Sequence, residues 1–288
     1  MKSHTHRVHS FVKRLRCEGL FVRLSALHPF FRKFVPLPQD YAPSDFRLVV
    51  RDHTSFKVRP YDYMQWNLFA NESDASWRLA MDYLSPGATV FDIGANCGHF
   101  SLKVLANASR SNINVSIHAF EPNPVVYNFL EENLLLNPHQ ASSVQLHPFG
   151  IGDADGEIAF DYDERNLGAG HVADPGSQGK LRVRIRKLDD VVSEINPSKI
   201  AFVKIDVEGF EPAVFEGARE TLERFRPPVY FEVTPEWYRR RGYDEQVIFA
   251  WLGKNNYVLL GELDNKLLPF STELFKGRHQ YNMLALPG

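Results

Sequence analysis

Acidic, amide and glycine residues lie where three apolar runs of the chain end. The runs cover residues 88–93, 115–120 and 200–205. The polar groups are Asp92, Gly94, Asn96 and Gly98 at the first run, Glu121, Pro122 and Asn123 at the second, and Asp206 and Glu208 at the third. The carboxyl ends of parallel strands meet at one edge of an open sheet, where a ligand crevice forms. We therefore expect these groups to share one site.

The loop from Gly94 to Gly98 has the composition of a tight turn between a strand and a helix, and a helix-compatible segment, 100–105, follows it. The two glycines permit a sharp turn and would let a ligand approach more closely than a Cβ atom allows. The Gly-x-Gly-x-x-Gly spacing of dinucleotide-binding loops is absent. This absence argues against the alternative of a nicotinamide-dependent oxidoreductase.

Glu121 is a candidate ligand for a ribose. It lies roughly twenty residues beyond the loop, where a carboxylate can accept hydrogen bonds from both hydroxyls of an adenosine ribose. Asn123 suits the N-cap of a following helix, and Pro124 suits its first position. The second group of polar residues therefore predicts a nucleoside contact beside a helix start.

Three motifs carry a resemblance to a known family. The segments Asp-Ile-Gly-Ala-Asn-Cys-Gly (92–98), Phe-Glu-Pro-Asn-Pro (120–124) and Lys-Ile-Asp-Val-Glu-Gly-Phe-Glu (204–211) resemble the FkbM family of S-adenosylmethionine-dependent methyltransferases, within residues 84–233. The resemblance implies an α/β fold, with a Rossmann-like class I methyltransferase sheet of about seven mostly parallel strands and helices on both faces. Family members mostly methylate hydroxyls of sugars and natural products. We therefore expect O-methylation of a sugar, glycolipid or natural-product small molecule, with transfer to carbon or nitrogen as the alternative.

The resemblance also implies S-adenosyl-L-methionine as the cofactor and indicates which residues bind it. These are Asp92, Gly94, Asn96, Gly98, Glu121, Pro122 and Asn123. Asp153, which follows a predicted strand at 144–149, is a candidate partner of the adenine amino group, with a plain turn at 153–156 as the alternative. A single helix is predicted over 210–225.

On the acceptor side, the candidates for the catalytic base are Asp206, Glu232 and His171. Asp206 ends a buried strand, so burial should raise its pKa and suit it to take a proton from a hydroxyl. His171 lies in the segment 163–180, which we predict to be a lid over the acceptor, with a disordered surface loop as the alternative. Asp206 and Glu208 could together hold a divalent cation, although we expect no metal.

Length and composition favour one large α/β domain with additions. We predict a basic helical extension with a Pro-rich linker at residues 1–43, and the methyltransferase domain at 44–288 with its core at 84–233. The net charge of −2 argues against a protein that coats nucleic acid, so the expected partner is a small-molecule or glycan acceptor and no specific nucleic acid. Only Cys17 and Cys97 are present, which suggests no disulfide framework and fits a cytoplasmic location.

Residues 1–35 are basic, with Glu18 as their single acid, and a short hairpin is predicted at 46–59. Apolar residues recur in the basic segment at helical spacing: Leu20, Leu24, Leu27, Phe31 and Phe34. The segment either packs on the domain as an accessory helix or binds a membrane surface peripherally. A non-catalytic membrane-associated adaptor of the same fold is the alternative to an enzyme. No secretory signal is expected, and no apolar stretch approaches the ~20 residues of a membrane span.

Overall fold

The fold is taken from a computed structural model, which describes residues 2–71, 76–264 and 266–288. It divides into two compact units. The first comprises Met1–Asp74 with Asp163–Gly168, and the second comprises Ala75–Tyr162 with Ala169–Gly288.

The first unit contains the predicted N-terminal helices and hairpin. Its elements are α1 (Lys2–Arg14), α2 (Glu18–Leu27), two short 3₁₀ helices (Pro29–Phe34 and Pro38–Asp40), β1 (Arg47–Arg51), β2 (Thr54–Val58) and α3 (Tyr63–Ala70). The basic segment forms two helices rather than one, because Arg16 between them has φ of 52°, outside the helical region. In the described residues, no helix combines the length and the apolar character needed to cross a bilayer.

The second unit alternates strands and helices through most of its length. Its elements are α4 (Ser76–Met81), β3 (Ala88–Ile93), α5 (His99–Arg110), β4 (Val115–Phe120), α6 (Pro124–Leu135), α7 (Pro138–Ala141), β5 (Val144–His147), β6 (Gly150–Ile151), β7 (Gly156–Asp163), β8 (Asn166–Val172), β9 (Leu181–Arg186), α8 (Leu188–Ile195), β10 (Ile200–Ile205), α9 (Glu211–Glu216), α10 (Arg219–Phe225), β11 (Val229–Val233), α11 (Pro235–Arg240), α12 (Glu245–Lys254), β12 (Tyr257–Leu263), β13 (Lys266–Pro269), α13 (Thr272–Phe275) and β14 (Tyr281–Pro287). Strands β7 and β8 extend into the segment assigned to the first unit.

The central sheet has the strand order β13-β12-β14-β11-β10-β3-β4-β5 within the described residues. Neighbouring strands from β11 to β5 are parallel, and β14, β12 and β13 close the other edge with antiparallel pairs. This arrangement confirms the predicted α/β class I methyltransferase sheet. It has one strand more than expected, because β13 folds back on β12 at the edge.

Alternate residues of the parallel strands face opposite layers of helices, as the two-residue period of a strand requires. In β3, Phe91 and Ile93 belong to the core that includes residues of α8, α9, α10 and α12. Val90 belongs to the opposite core, with residues of α4 and α5. Both faces of the sheet are therefore covered, which explains why β3, β10 and β11 are buried along their whole length.

The predicted strand 144–149 is shorter than expected, because the chain leaves the central sheet after His147. Gly150 and Ile151 instead pair with β9 in a second sheet of order β6-β9-β7-β8. The prediction that 163–180 forms one long loop is wrong, since β8 occupies Asn166–Val172 and lies beside β7.

The predicted single helix over 210–225 is interrupted at Gly217. A Cβ atom at this position would lie 1.9 Å from the carbonyl oxygen of Gly152, so the two backbones approach too closely for any larger residue. The first helix, α9, therefore ends at Glu216, and α10 begins at Arg219.

Candidate active site

Gly94 and Gly98 both have left-handed backbones, with φ of 82° and 86°. A Cβ atom on Gly94 would lie 1.9 Å from the carbonyl oxygen of Asp206, and one on Gly98 would lie 2.6 Å from Cδ1 of Leu130. Protein atoms therefore already occupy the space of an added Cβ at both positions, a backbone oxygen at Gly94 and the end of a leucine side chain at Gly98. This corrects the expectation that the missing side chains leave space for a ligand.

Glu121 joins the loop after β3 to the end of β4. Its Oε2 accepts the backbone N–H of Asn96 (3.0 Å), and its Oε1 accepts the N–H of Asn123 (2.9 Å). The residue is only 7% exposed, and burial raises the pKa of its carboxyl to about 7. As predicted, Asn123 caps α6, because its Oδ1 accepts the N–H of Val125 (3.0 Å).

Asp92 is fully buried at the end of β3. Its Oδ2 accepts the hydroxyl of Ser101 on α5 (2.6 Å), and burial raises the pKa of the carboxyl. Two buried atoms in this region, Oδ1 of Asp92 and Nδ2 of Asn123, have no hydrogen-bond partner among the described residues. An acceptor and a donor thus stay unsatisfied at the ends of neighbouring strands, although buried polar groups are normally paired.

Lys204 lies between Asp92 at the end of β3 and Asp206 after β10. Its Nζ lies 3.0 Å from Oδ2 of Asp206 and 3.8 Å from Oδ1 of Asp92, and its side chain is 7% exposed. The expected burial of Asp206 is wrong, because its side chain is 41% exposed. The sequence motifs alone do not identify Lys204, although a lysine inside the apolar run 200–205 is a signal.

Asp206, Glu208 and Glu232 form a carboxylate cluster, with one oxygen of each within 4.8 Å of the others. The pairing of Ile205 with Phe231 explains the proximity, since it brings the segment that directly follows β10 beside Glu232 of β11. Burial and the negative charges of the neighbours raise the pKa of Glu208 and of Glu232. A divalent cation could bind at such a spacing, but carboxylates also cluster without one.

Two polar side chains on other elements donate hydrogen bonds to Glu232. The hydroxyl of Thr234 lies 3.1 Å from Oε2, and Nε2 of Gln280, just before β14, donates to Oε1. Buried Glu211 adds a further carboxylate, whose Oε1 accepts the N–H groups of Val207 (3.0 Å) and Gly209 (3.3 Å). Burial raises the pKa of Glu211 to about 7. Gln280 could not be found from the sequence, because it is distant along the chain.

His171 lies outside the carboxylate cluster. Its Nδ1 and the carbonyl oxygen of Ala169 are 2.9 Å apart, and its ring meets the edge of Trp237 with centroids 4.1 Å apart. Burial lowers the pKa of the imidazole. Trp237 packs against Gly209, where a Cβ atom would lie 2.4 Å from that of Trp237. The tertiary fold therefore places His171 against Trp237, which in turn packs on Gly209, the residue after Glu208.

The last two predicted cofactor residues, Pro122 and Asp153, lie beside the short strand β6. A Cβ atom on Gly150 would be 3.5 Å from Cβ of Pro122, so the end of β4 and the start of β6 are adjacent. Asp153 is exposed and lines a cleft of about 250 Å³ together with the aromatic side chains of Phe215, Tyr243 and Trp251.

The parallel sheet, the loop after β3 and the buried acid after β4 define a Rossmann-like methyltransferase domain. The family described as methyltransferase FkbM domain matches residues 92–259, more than half of the chain. The chain belongs to this family.

Three curated relatives illustrate the similarity. Hexuronic acid methyltransferase AglP of Haloferax volcanii is 25% identical over 51% of this chain and 56% of its own length. The 31-O-demethyl-FK506 methyltransferase FkbM of Streptomyces tacrolimicus is 28% identical over 48% of this chain and 62% of its own length. The 2-O-methyltransferase NoeI of Sinorhizobium fredii is 27% identical over 49% of this chain and 61% of its own length. The matches thus cover about half of this chain and less than two thirds of each relative.

Proposed function

We propose that this protein is an S-adenosylmethionine-dependent methyltransferase that transfers the methyl group to a hydroxyl of a sugar or natural-product small molecule. The observation that carries the proposal is the carboxylate of Glu121, held against the N–H of Asn96 in the loop after β3. The family supports methyl transfer. The hydroxyl acceptor is supported by the names of relatives that act on hexuronic acid, on 31-O-demethyl-FK506 and at a 2-O position.

The polar groups of the site suit this cofactor. Glu121 would bind the ribose hydroxyls, and the unsatisfied Nδ2 of Asn123 would supply a donor beside them. The unsatisfied Oδ1 of Asp92 would bind the methionine ammonium, directly or through water. When bound, the cofactor supplies a sulfonium whose methyl group is already activated for transfer. The remaining task of the protein is to hold the acceptor in line, which can contribute ~7 to 11 kcal/mol in favourable cases.

The carboxylate cluster would receive the acceptor hydroxyl. A carboxyl whose pKa is raised is a stronger base than an ordinary one, and this favours Glu232 or Glu208 as the group that accepts the hydroxyl proton. Asp206, exposed and bound to Lys204, would instead accept a hydrogen bond that orients the acceptor. General-base assistance of this kind contributes typically ~10²- to 10⁴-fold to the rate.

Calorimetry with S-adenosylmethionine, S-adenosylhomocysteine and NAD tests the cofactor. We expect heat from the first two and none from NAD. Incubation with methyl-labelled cofactor and a panel of sugars, glycolipids and hydroxylated natural products tests the acceptor. Base-stable label on a hydroxyl oxygen supports O-methylation, and label on carbon or nitrogen contradicts it. Binding of NAD alone would overturn the whole assignment.

A further inference from the structure

We propose that the first unit binds the surface of an anionic phospholipid bilayer through residues 8–34. The binding face is defined by exposed apolar side chains together with exposed cations. It consists of Phe11, Leu15, Leu20, Leu27 and Phe30, with Arg14, Arg16, Arg23 and Lys33. The proposal does not depend on the proposed function of the second unit.

Several large apolar side chains in and directly after the two helices are exposed. Phe11 on α1 and Leu15 in the turn directly after it are four residues apart and are 62% and 58% exposed. On α2, Leu20 and Leu27 are seven residues apart and are 55% and 82% exposed. The second spacing places Leu20 and Leu27 on one face of α2. An exposed apolar surface of this kind is typical of an interaction site in a water-soluble unit.

The opposite faces of the same helices already form the core of the first unit. Val12 and Val22 are 3% and 5% exposed. His9 is also buried, and its imidazole meets the carboxylate of Asp40 (2.7 Å) and the carbonyl of Lys33 (2.9 Å). The helices are therefore packed as they stand, and the outward apolar residues are additional to that packing.

The charge of the binding face has a single sign. Glu18 is the only acidic residue before Asp40, and it is 2% exposed. Its Oε1 lies 2.6 Å from Nη2 of Arg47, so its charge is compensated inside the unit. The exposed charged side chains of residues 8–34 are therefore all cationic.

An anionic bilayer can bind both the apolar and the cationic side chains of this face. Phe and Leu side chains enter the boundary between headgroups and acyl chains, while Arg and Lys remain among the anionic headgroups. A polyanion such as a nucleic acid would engage the cations and leave Phe11, Leu15 and Leu27 in water. The combination of exposed apolar side chains with exposed cations therefore favours a lipid surface.

Co-sedimentation of the full chain with vesicles tests the proposal. We expect binding to phosphatidylcholine vesicles that contain phosphatidylserine, weak binding to phosphatidylcholine alone, and weakening by salt. Leu15→Ser and Leu27→Ser should each lower the partition coefficient roughly tenfold. Arg14→Gln and Arg23→Gln should each lower it about fivefold. All four positions are exposed, so circular dichroism and thermal unfolding should stay unchanged.

Matched controls are Leu135→Ser, which removes a 78% exposed leucine from α6, and Arg224→Gln on α10. Neither should affect vesicle binding. Vesicle binding by the Leu15→Ser and Leu27→Ser variants that equals wild-type binding would overturn the proposal. The absence of binding to phosphatidylserine-containing vesicles at low salt would overturn it as well. Tight binding to single-stranded DNA that depends on the arginines but not on the leucines would identify a polyanion site instead.

Discussion

The carboxylate of Glu121 accepts the backbone N–H of Asn96 at 3.0 Å, so one buried side chain fixes the loop after β3 relative to the end of β4. The same carboxylate also accepts the N–H of Asn123. Loop conformation and ribose binding should therefore respond together when Glu121 is changed.

Glu121→Ala should weaken binding of S-adenosylmethionine by roughly 1 to 3 kcal/mol, because the variant loses charge-assisted hydrogen bonds and leaves buried donors unpaired. The melting temperature should fall as well, since two backbone N–H groups lose their acceptor. Calorimetry and thermal unfolding measure the two effects. Glu131→Ala, an exposed residue on α6, is the control and should change neither. Unaltered affinity in Glu121→Ala would remove the ribose role.

Gly94→Ala should destabilise the fold by roughly 2 to 5 kcal/mol, the sum of a left-handed backbone and a steric conflict. The conflict arises because the new Cβ would lie 1.9 Å from the Asp206 carbonyl oxygen. Gly87→Ala is the matched control, with φ of 79° but nothing within 4 Å of the added atom, and should cost only about 1 to 2 kcal/mol. Urea denaturation of the two variants measures the difference. Equal losses would show that the contact with Asp206 is unimportant.

Glu232→Gln should lower kcat by ~10²- to 10⁴-fold with little change in cofactor affinity, if Glu232 accepts the acceptor proton. Because its pKa is raised and the base must be ionised, wild-type kcat should rise with pH through the neutral range. Asp206→Asn should have a smaller effect on kcat. Glu236→Gln, which removes only an exposed ion pair with Arg240, is the control. A stable Glu232→Gln enzyme with normal kcat would transfer the role to Glu208, and the same profile would test it.

Glu211→Gln should stabilise the protein near pH 8 and flatten the pH dependence of its stability. The folded-state pKa of Glu211 is raised to about 7, so the folded protein binds more protons than the unfolded chain between the unfolded value and pH 7. Stability therefore falls as pH rises through that window, by roughly 1 to 3 kcal/mol for this group. Urea unfolding from pH 5 to pH 8 measures the change, with exposed Glu223→Gln as the control. A wild-type stability that rises across this range, with no flattening in the variant, would contradict a raised pKa of Glu211.

Chelation with EDTA should leave methyl transfer intact. The ammonium of Lys204 lies 3.0 Å from Asp206, and Thr234 and Gln280 donate hydrogen bonds to Glu232, so protein groups already compensate part of the cluster's charge. Activity assays with EDTA, and then with added Mg²⁺ or Mn²⁺, measure the effect. Loss of activity with EDTA that added Mg²⁺ restores would indicate that the carboxylate cluster binds a cation.

The amino-acid sequence by itself determined the α/β class and the positions of the three polar groups, because apolar runs and the motifs that end them are local features. It also indicated the cap at Asn123 and the basic helices, which follow from neighbouring residues. Only the tertiary structure decided how the site is completed. It brought Gln280 to Glu232 and Lys204 to Asp92, and it left Asp206 exposed. The role of Gly94 was also tertiary, since the atom that excludes a side chain belongs to Asp206, the residue that follows β10 more than a hundred residues away. Strand pairing across the sheet sets these contacts, and the local sequence pattern does not encode them.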